Sequence, residues 1–331
     1  MYDDLVYEIK RLYDGIPHNI PDKYFVLMAD YIAAVCEAQD SFKVDPLELA
    51  KSLPDKVRNI SDMPLNGIYG VTDKNGIRMN SALNSRQNKL YFFHELTHAL
   101  QTREKGNEEE CSFSNGKNGM FLVEGATQFT AELLYHFSNG TNVNYRTQTG
   151  VVRGHPEHTP YSPLSEYQLN GSILMLLSHS IKIPIAELLG LGFKENGREA
   201  VKQKFESFQG LQGKFEGFMS ELEQIYAIDK LMLTGYGKQI SGPPVLINMN
   251  GTKFYGSIQT QGEQINKIER ELVANFIENN TGEYIMKNYK SIGMHLTSPE
   301  LRQNFMNAVI NVARIEGLPE PGMTEPSGPR R

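Results

Sequence analysis

The residues with the clearest chemical potential are two histidines and a glutamate in the segment Tyr91–Leu100. His94, Glu95 and His98 form the pattern HExxH. Residues four apart on an α-helix share one face, about 6 Å apart along the axis, so the two imidazoles can bind one metal ion. Glu95 is turned by roughly 100° from His94, which places it beside the metal, where it can take a proton from bound water. Zinc suits such a site because catalytic zinc prefers three protein ligands and one open position.

An HExxH pattern also occurs by chance on ordinary helices. With eight histidines in the chain, a chance occurrence is expected in about one such chain per hundred. The context favours a metal site, because Phe93, Leu96 and Leu100 give the same helix an apolar face. A predicted hairpin precedes the motif, and a second helix that carries an acid follows it. A structural helical protein with an incidental motif stays the alternative interpretation.

A third zinc ligand has to come from another part of the chain. The metzincin pattern would need Gly at position 101 and His at position 104, but this chain has Gln101 and Glu104. If the helix continues to Lys105, Glu104 lies about 9 Å along the axis and roughly 120° around from His98, too far to reach the metal. The acidic run 108–110 is more typical of a solvated charge cluster than of a ligand set.

Glu124 is the favoured third ligand. It begins a segment whose other faces are apolar, and the small residues Gly125 and Ala126 would let that helix and the HExxH helix approach closely. With the motif His94–His98, followed by Glu124-Gly125 after 25 residues, the chain resembles the gluzincin branch of zinc metallopeptidases. The letters HELTHALQ and EGAT are especially similar to the paired helices of bacterial collagenase-like and aminopeptidase-like members. The resemblance covers roughly residues 66 to 137.

The resemblance implies a role for each matching residue. His94, His98 and Glu124 would be zinc ligands, Glu95 would be the general base for peptide-bond hydrolysis, and the hairpin before the helix would hold the strand against which peptide substrates lie. The chain departs from the family at Gln128, where many gluzincins have an acid that orients a ligand histidine. An amide oxygen can accept the same hydrogen bond without the charge.

Zinc peptidases usually also need a donor for the tetrahedral oxyanion, often Tyr or His. In family members this donor commonly lies downstream of the ligand glutamate, where Tyr167 and Tyr161 qualify by position. Tyr167 would open the next helix. The chain contains 16 tyrosines, so an ordinary half-buried tyrosine is the alternative interpretation for both.

The elements that must position these residues follow from apolar periodicity and turn signals. Three helices are predicted first, the third beginning at Asp45-Pro46. A hairpin around Asn75-Gly76 follows, because Asn-Gly tolerates the positive φ angles of a tight turn. Asn84 and Gln87 resemble a capping box at the start of the HExxH helix, which should end near Lys105.

The remaining chain is predicted to be mostly helical. A polar loop is expected over residues 108–119, a helix over 121–137 and irregular chain over 141–163. A second Asn-Gly signal, at Asn250-Gly251, predicts a hairpin over residues 245–258. Further helices are expected near residues 165–180, 184–191, 195–209, 211–233, 263–279, 282–290 and 298–316.

The composition and charge of the chain indicate which partners and which cellular location to expect. The chain has 331 residues and a net charge of −6, without a basic tract, so neither nucleic acid nor an anionic membrane is an expected partner. Two cysteines cannot form a disulfide framework. The first residues lack the pattern of a signal peptide, and the most apolar stretch, Ile173–Phe193, contains charged residues and a proline. A cytoplasmic protein is predicted, and composition leaves export by a leaderless route open.

We therefore expect an α+β, mostly helical, zincin-like fold with a small sheet beside the HExxH helix. The predicted divisions are an N-terminal helical segment (1–60), a zincin-like catalytic core (61–163), a helical C-terminal subdomain (164–316) and a disordered tail (317–331). The predicted function is zinc-dependent hydrolysis of a peptide or protein substrate, with the oligomeric state left open. The alternative is a catalytically silent binding protein on the same scaffold. Glu95 argues against that alternative, because it would serve chemistry and not metal binding.

Overall fold

The computed structural model describes residues 2–65, 68–105, 108–111, 113–115, 118–139, 144–146, 151–153, 167–237, 251–296 and 298–321. The helices are α1 (Tyr2–Leu12), α2 (Asp22–Phe42), α3 (Pro46–Lys56), α4 (Ser85–Gln101), α5 (Met120–Ser138), α6 (Gln168–Ser180), α7 (Ile185–Leu191), α8 (Gly197–Glu206), α9 (Phe215–Gly237), α10 (Gly251–Glu278), α11 (Gly282–His295) and α12 (Pro299–Ile315). The strands are β1 (Ile60–Met63), β2 (Gly70–Asp73), β3 (Gly76–Asn80), β4 (Thr102–Lys105), β5 (Glu108–Cys111), β6 (Asn144–Arg146) and β7 (Val151–Arg153). The predicted α+β, mostly helical class is confirmed.

The three predicted N-terminal helices are present, and α2 packs against the HExxH helix α4. Tyr31 of α2 lies edge-on to Phe93, with ring centroids 5.1 Å apart. The Tyr31 hydroxyl also lies 2.8 Å from that of Thr97. Because Thr97 donates its single proton to the carbonyl of Phe93, the tyrosine must be the donor of the pair. These contacts are buried, so α2 fixes the rotation of α4 about its own axis.

A three-stranded mixed sheet lies beside α4 in the order β1-β3-β2. The predicted hairpin is confirmed as the antiparallel pair β2 and β3. Gly76, in its turn, has φ of +118°, and a Cβ atom there would lie 2.3 Å from the carbonyl oxygen of Asn59, so a side chain is excluded. Strand β1, parallel to β3 with Ile60 opposite Ile77, was not predicted, because a four-residue strand with a distant partner has little pattern of its own.

The start of α4 matches its prediction and its end does not. Asn84 and Gln87 form the predicted capping box, but the helix ends at Gln101 and the chain continues directly into β4. The Thr102 hydroxyl donates to the carbonyl of His98, and the Arg103 guanidinium donates to the distant carbonyl of Phe193, both at 2.8 Å. Pairing with β5, together with the Arg103 bond, holds residues 102–105 in an extended conformation where periodicity alone favoured another helical turn.

Two segments predicted to be irregular contain short hairpins. β5 lies within the predicted loop 108–119 and pairs antiparallel with β4, with Thr102 opposite Cys111. β6 and β7 form a second antiparallel pair within the predicted irregular segment 141–163. Each strand has only three or four residues, too short to show alternation against a polar background.

The predicted C-terminal helices are present, although their ends are shifted by a few residues or more. In the hairpin predicted over residues 245–258, the prediction of the second strand is wrong. Residues 251–278 form the single helix α10, while the first strand, 245–249, lies outside the described residues. Ile268, Leu272 and Phe276 are buried at a spacing of four and attach this helix to the core. Residues 252–258 therefore belong to a helix and not to the predicted second strand.

All but Leu301 and Ala313 of the described buried apolar residues form one cluster that extends from Ile9 in α1 to Val309 in α12. Residues 317–321 follow α12, with the Leu318 amide donating to the carbonyl of Ala313, and the rest of the predicted tail lies outside the described residues.

Among the described helices, none is by itself long and apolar enough to cross a membrane. The pair Leu169–Ser180 and Ile185–Leu191 passes that test only jointly, with a bend of 107°.

Candidate metal centre

Three potential ligand atoms converge where α4 meets α5. His94 Nε2 lies 3.0 Å from His98 Nε2, which lies 3.3 Å from Glu124 Oε2. The third side of this triangle, from His94 Nε2 to Glu124 Oε2, is 3.6 Å. Ligands about 2.0–2.1 Å from a tetrahedral zinc ion are roughly 3.3 Å from one another. The separations therefore match those around one small cation, and this is the only such group of three among the described residues.

Glu124 is placed by contacts at the start of α5. Gly119, the residue before this helix, has no side chain to cap it, and Glu223 of α9 accepts hydrogen bonds from the amides of Gly119 and Met120, each at 3.1 Å. A carboxylate at the N-terminus of a helix accepts hydrogen bonds from amides that have no partner within the helix. Its negative charge is also attracted to the positive end of the helix dipole. The first turns of α5 are thereby anchored, with Glu124 directed toward the histidines.

The close approach expected between α5 and the HExxH helix is present, and at Gly125 itself the nearest neighbour is α6. A Cβ atom on Gly125 would lie 2.8 Å from the Cβ of Asn170. The side-chain amide of Asn170 also donates a hydrogen bond to the backbone carbonyl of Phe121 at 2.9 Å. This crossing sets the start of α6, and with it Tyr167, next to the ligand atoms.

The predicted hydrogen bond of Gln128 is present and determines the tautomer of His94. Gln128 Oε1 lies 2.8 Å from His94 Nδ1, and Gln128 Nε2 donates to Glu132 Oε1 at 2.9 Å. Because the Glu132 carboxylate needs a donor, the amide nitrogen faces it and the amide oxygen faces the imidazole. His94 Nδ1 then carries the proton, and the Nε2 lone pair points at the other ligand atoms. Sequence reasoning missed Glu132, although its spacing of four from Gln128 places both on one helix face.

The electrostatics keep two of the three ligands in the protonation state that a metal requires. Burial, reinforced by the charge of His98, lowers the pKa of His94 to about 4. Burial alone would raise the pKa of Glu124, but hydrogen bonds from His98 and Tyr167 and the charges of both histidines hold it at about 2. His94 is therefore neutral and Glu124 ionised at neutral pH, as coordination demands. For His98, burial opposes protonation, yet the Glu124 and Glu95 carboxylates raise its pKa, so the surroundings favour positive charge here.

Glu95 lies beside the ligand atoms without being one of them. Its side chain is buried, with 6% of the residue exposed, and its Oε2 accepts a hydrogen bond from the Thr72 hydroxyl at 2.8 Å. Burial raises the pKa of Glu95, with the charge of His98 and the Thr72 hydrogen bond opposing the rise. A carboxylate whose pKa is raised towards neutrality is a better proton acceptor and donor in turnover.

Of the two predicted oxyanion donors, Tyr167 contacts the site and Tyr161 lies outside the described residues. The Tyr167 ring stacks on that of His94, with centroids 5.8 Å apart and planes 11° apart, and its hydroxyl hydrogen bonds to Glu124. Sequence reasoning missed Tyr226 of α9, whose hydroxyl lies 3.5 Å from Glu124 Oε1. No local pattern marks Tyr226, because it lies 102 residues from Glu124 in sequence.

The other acids weighed as ligands lie in the hairpin after α4. The predicted exclusion of Glu104 assumed that the helix continues to Lys105, and that premise is wrong, because residues 102–105 form β4. Glu104 is instead opposite Glu109 in the β4–β5 pair. The side chains of residues 104–105 and 108–111 lie outside the described part of the chain, so the preference for Glu124 rests on its own convergence with the histidines.

Comparisons of the chain with known protein families, with curated proteins and with solved structures find no match. The geometry and chemistry of the site are therefore the indicators of function.

Proposed function

We propose that the protein is a zinc-dependent peptidase with a zincin-like catalytic core. The observation that carries the proposal is the convergence of His94 Nε2, His98 Nε2 and Glu124 Oε2 within 3.0 to 3.6 Å of one another, with the Glu95 carboxylate beside them. Two imidazole nitrogens and one carboxylate oxygen suit zinc, which accepts nitrogen and oxygen ligands in a tetrahedral arrangement.

Each residue has a distinct task in this proposal. His94, His98 and Glu124 would hold the ion, which when bound supplies a Lewis acid for the scissile carbonyl and for a water molecule. Glu95 accepts the proton of the attacking water and delivers it to the leaving amine. Tyr167 donates a hydrogen bond to the oxyanion, from its place beside His94 at the start of α6.

Metal analysis of the purified protein tests the ligand set. We expect close to one zinc per chain, loss of the metal in His94→Ala/His98→Ala, and strongly weakened binding in Glu124→Ala. Glu37→Ala, at an exposed position of α2, is the matched control and should keep the zinc. Equal zinc content in all four proteins would reject the site.

Peptide cleavage tests the chemistry. The zinc-loaded protein is incubated with a mixed peptide library, and products are identified by mass spectrometry. Glu95→Gln should keep the metal and lose about 10²- to 10⁴-fold in rate, because an amide of nearly the same shape cannot act as a base. Glu37→Gln should cleave at the parent rate. A protein that carries zinc but cleaves no peptide would instead be a binding protein on this scaffold.

A further inference from the structure

We propose that Gly70 and Thr72 of β2 are positioning residues that hold the Glu95 carboxylate beside the metal ligands in one orientation. The inference rests on the proposed function, since it concerns how the proposed general base is held. Neither residue belongs to the HExxH motif, and both lie in the edge strand of the sheet next to α4.

Thr72 contributes hydrogen bonding. Its Oγ1 lies 2.8 Å from Glu95 Oε2 and 2.9 Å from the Glu95 backbone carbonyl oxygen. A hydroxyl has one proton, and the carboxylate is the stronger acceptor because the bond to it is charge-assisted. The bond to the carboxylate is therefore the one that holds the Glu95 side chain, and the backbone carbonyl is the alternative acceptor for the same proton.

Gly70 contributes space. A Cβ atom at this position would lie 2.6 Å from Glu95 Cγ and 2.8 Å from Glu95 Oε1. Real Cβ atoms do not approach other atoms so closely, so any residue larger than glycine would displace the glutamate side chain. Glu95 therefore occupies the volume that a side chain at position 70 would fill.

The two contributions come from one face of one strand. Residues two apart in a strand project to the same side, so Gly70 and Thr72 act together on α4. β2 is held in turn by β3, where Met79 lies opposite Gly70 and Ile77 opposite Thr72. Met79 and Ile77 are buried in the core, which gives the strand a rigid support.

This arrangement matters for catalysis because Glu95 has to face a water molecule at one defined position. A carboxylate this buried costs free energy unless it is hydrogen bonded, so losing the Thr72 hydroxyl would let it turn toward other donors. A displacement of about 1 Å in a reacting group can cost about 100-fold in rate.

The test compares Thr72→Val, which removes the hydroxyl and keeps the shape, with Thr72→Ser, which keeps the hydroxyl. Both are made in the full chain and loaded with zinc, and metal content is measured first. Two readouts follow: kcat and KM for a cleaved peptide, and the affinity for acetohydroxamate. This zinc chelator carries an acidic N–OH proton that Glu95 would accept, and its binding requires no turnover.

We expect Thr72→Val to keep one zinc per chain and to lower kcat by about 10- to 100-fold with little change in KM. The affinity for acetohydroxamate should fall by about 10-fold. Thr72→Ser should restore both values to within about threefold of the parent. Gly70→Ala should resemble Thr72→Val. In a Glu95→Gln background, Thr72→Val should have no further effect, because Thr72 acts through Glu95. Thr281→Val, which removes an N-cap hydroxyl at the start of α11, controls for a general loss of stability and should leave both readouts unchanged.

The proposal is overturned if Thr72→Val has the parent kcat and acetohydroxamate affinity, if Thr72→Ser fails to restore them, or if Thr72→Val still lowers either value in the Glu95→Gln background. These outcomes differ from failure of the proposed function, in which the parent cleaves no peptide. In that case the acetohydroxamate measurements alone decide whether Thr72 and Gly70 position Glu95.

Discussion

At the scale of single residues, the proposed metal centre depends on side chains that are not themselves candidate ligands. Gln128 and Glu132 form a hydrogen-bonded chain behind His94, with links of 2.8 and 2.9 Å. The amide carries no charge, and the carboxylate lies one helical turn further away. This chain selects the tautomer that leaves the Nε2 lone pair free to bind the proposed metal, and such hydrogen bonds to a ligand tune its affinity.

Removing this chain should weaken zinc binding while leaving the three ligands in place. Gln128→Leu leaves His94 Nδ1 without its acceptor, and zinc affinity should fall about 10- to 100-fold. Gln128→Glu supplies a carboxylate oxygen to the same nitrogen, although it places a second acid beside Glu132. The zinc affinity of Gln128→Glu should therefore be higher than that of Gln128→Leu. Titration against a competing chelator measures all three proteins, and equal affinities would show that the chain has no role in metal binding.

The two tyrosines at the site should separate into different roles. Tyr167→Phe should lower kcat more than it raises KM, because an oxyanion donor acts mainly in the transition state, where one lost hydrogen bond costs roughly 3 to 4 kcal/mol. Tyr226→Phe removes a hydroxyl 3.5 Å from Glu124 Oε1 and should mainly weaken zinc binding. Steady-state kinetics with a cleaved peptide, together with metal affinity, distinguish the two. An unchanged kcat in Tyr167→Phe would transfer the role to Tyr161 or a histidine.

At the scale of elements, the site is made by helix ends and crossings. Glu223 anchors the start of α5, Gly125 allows α6 to approach, and β2 lies against α4 at Glu95. None of these contacts is local in sequence. Each brings a polar group to the ligand atoms from a different direction, so the geometry depends on how closely the helices approach one another.

The crossing at Gly125 can be tested with a matched pair of glycines. Gly125→Ala would place a methyl group 2.8 Å from the Asn170 Cβ and 3.1 Å from its backbone carbon, and it should lower the free energy of unfolding by about 1–3 kcal/mol. Gly217→Ala, in α9 with no atom within 4 Å of the added carbon, should raise it by about 0.4–1 kcal/mol. Urea unfolding of the two variants measures the difference. Two stabilising substitutions would show that α5 and α6 are not in close contact.

At the scale of the whole molecule, one core joins helices from both ends of the chain, and that core contains ionisable groups remote in sequence from the HExxH motif. His179 of α6 and His295 of α11 are both buried, with ring centroids 6.3 Å apart. Burial lowers the pKa of His179 to about 4. Burial and the charge of His179 lower that of His295 to about 3. Both are therefore neutral in the folded protein well below neutral pH.

Stability should fall as the pH decreases from about 6.5 towards 4. In the unfolded chain a histidine has an ordinary pKa of about 6.5, so below that pH the unfolded state binds protons that the folded state does not. Between pH 7 and pH 5, His179 alone should account for roughly 1–2 kcal/mol of lost stability. Chemical denaturation at the two pH values should therefore show a smaller loss in His179→Gln than in the parent. The exposed His18→Gln is the control and should keep the parent difference.

The sequence by itself determined the parts of this protein that local physics controls. The positions of α4 and α5, the capping box at Asn84 and the β2–β3 hairpin follow from apolar spacing, from reciprocal cap bonds and from the angles that Asn-Gly tolerates. The histidine pair His94 and His98 also follows, because residues four apart on one helix have to share a face. These inferences need no knowledge of how the helices pack.

Tertiary structure alone decided where those elements end and what surrounds the ligands. α4 ends at Gln101 because residues 102–105 pair with β5, and residues 252–258 belong to the helix α10 and not to the predicted second strand. Thr72 and Tyr226 reach the site from elements 23 and 102 residues away in sequence. Such contacts depend on the net free energy of packing the whole chain, and no window of neighbouring residues contains that information.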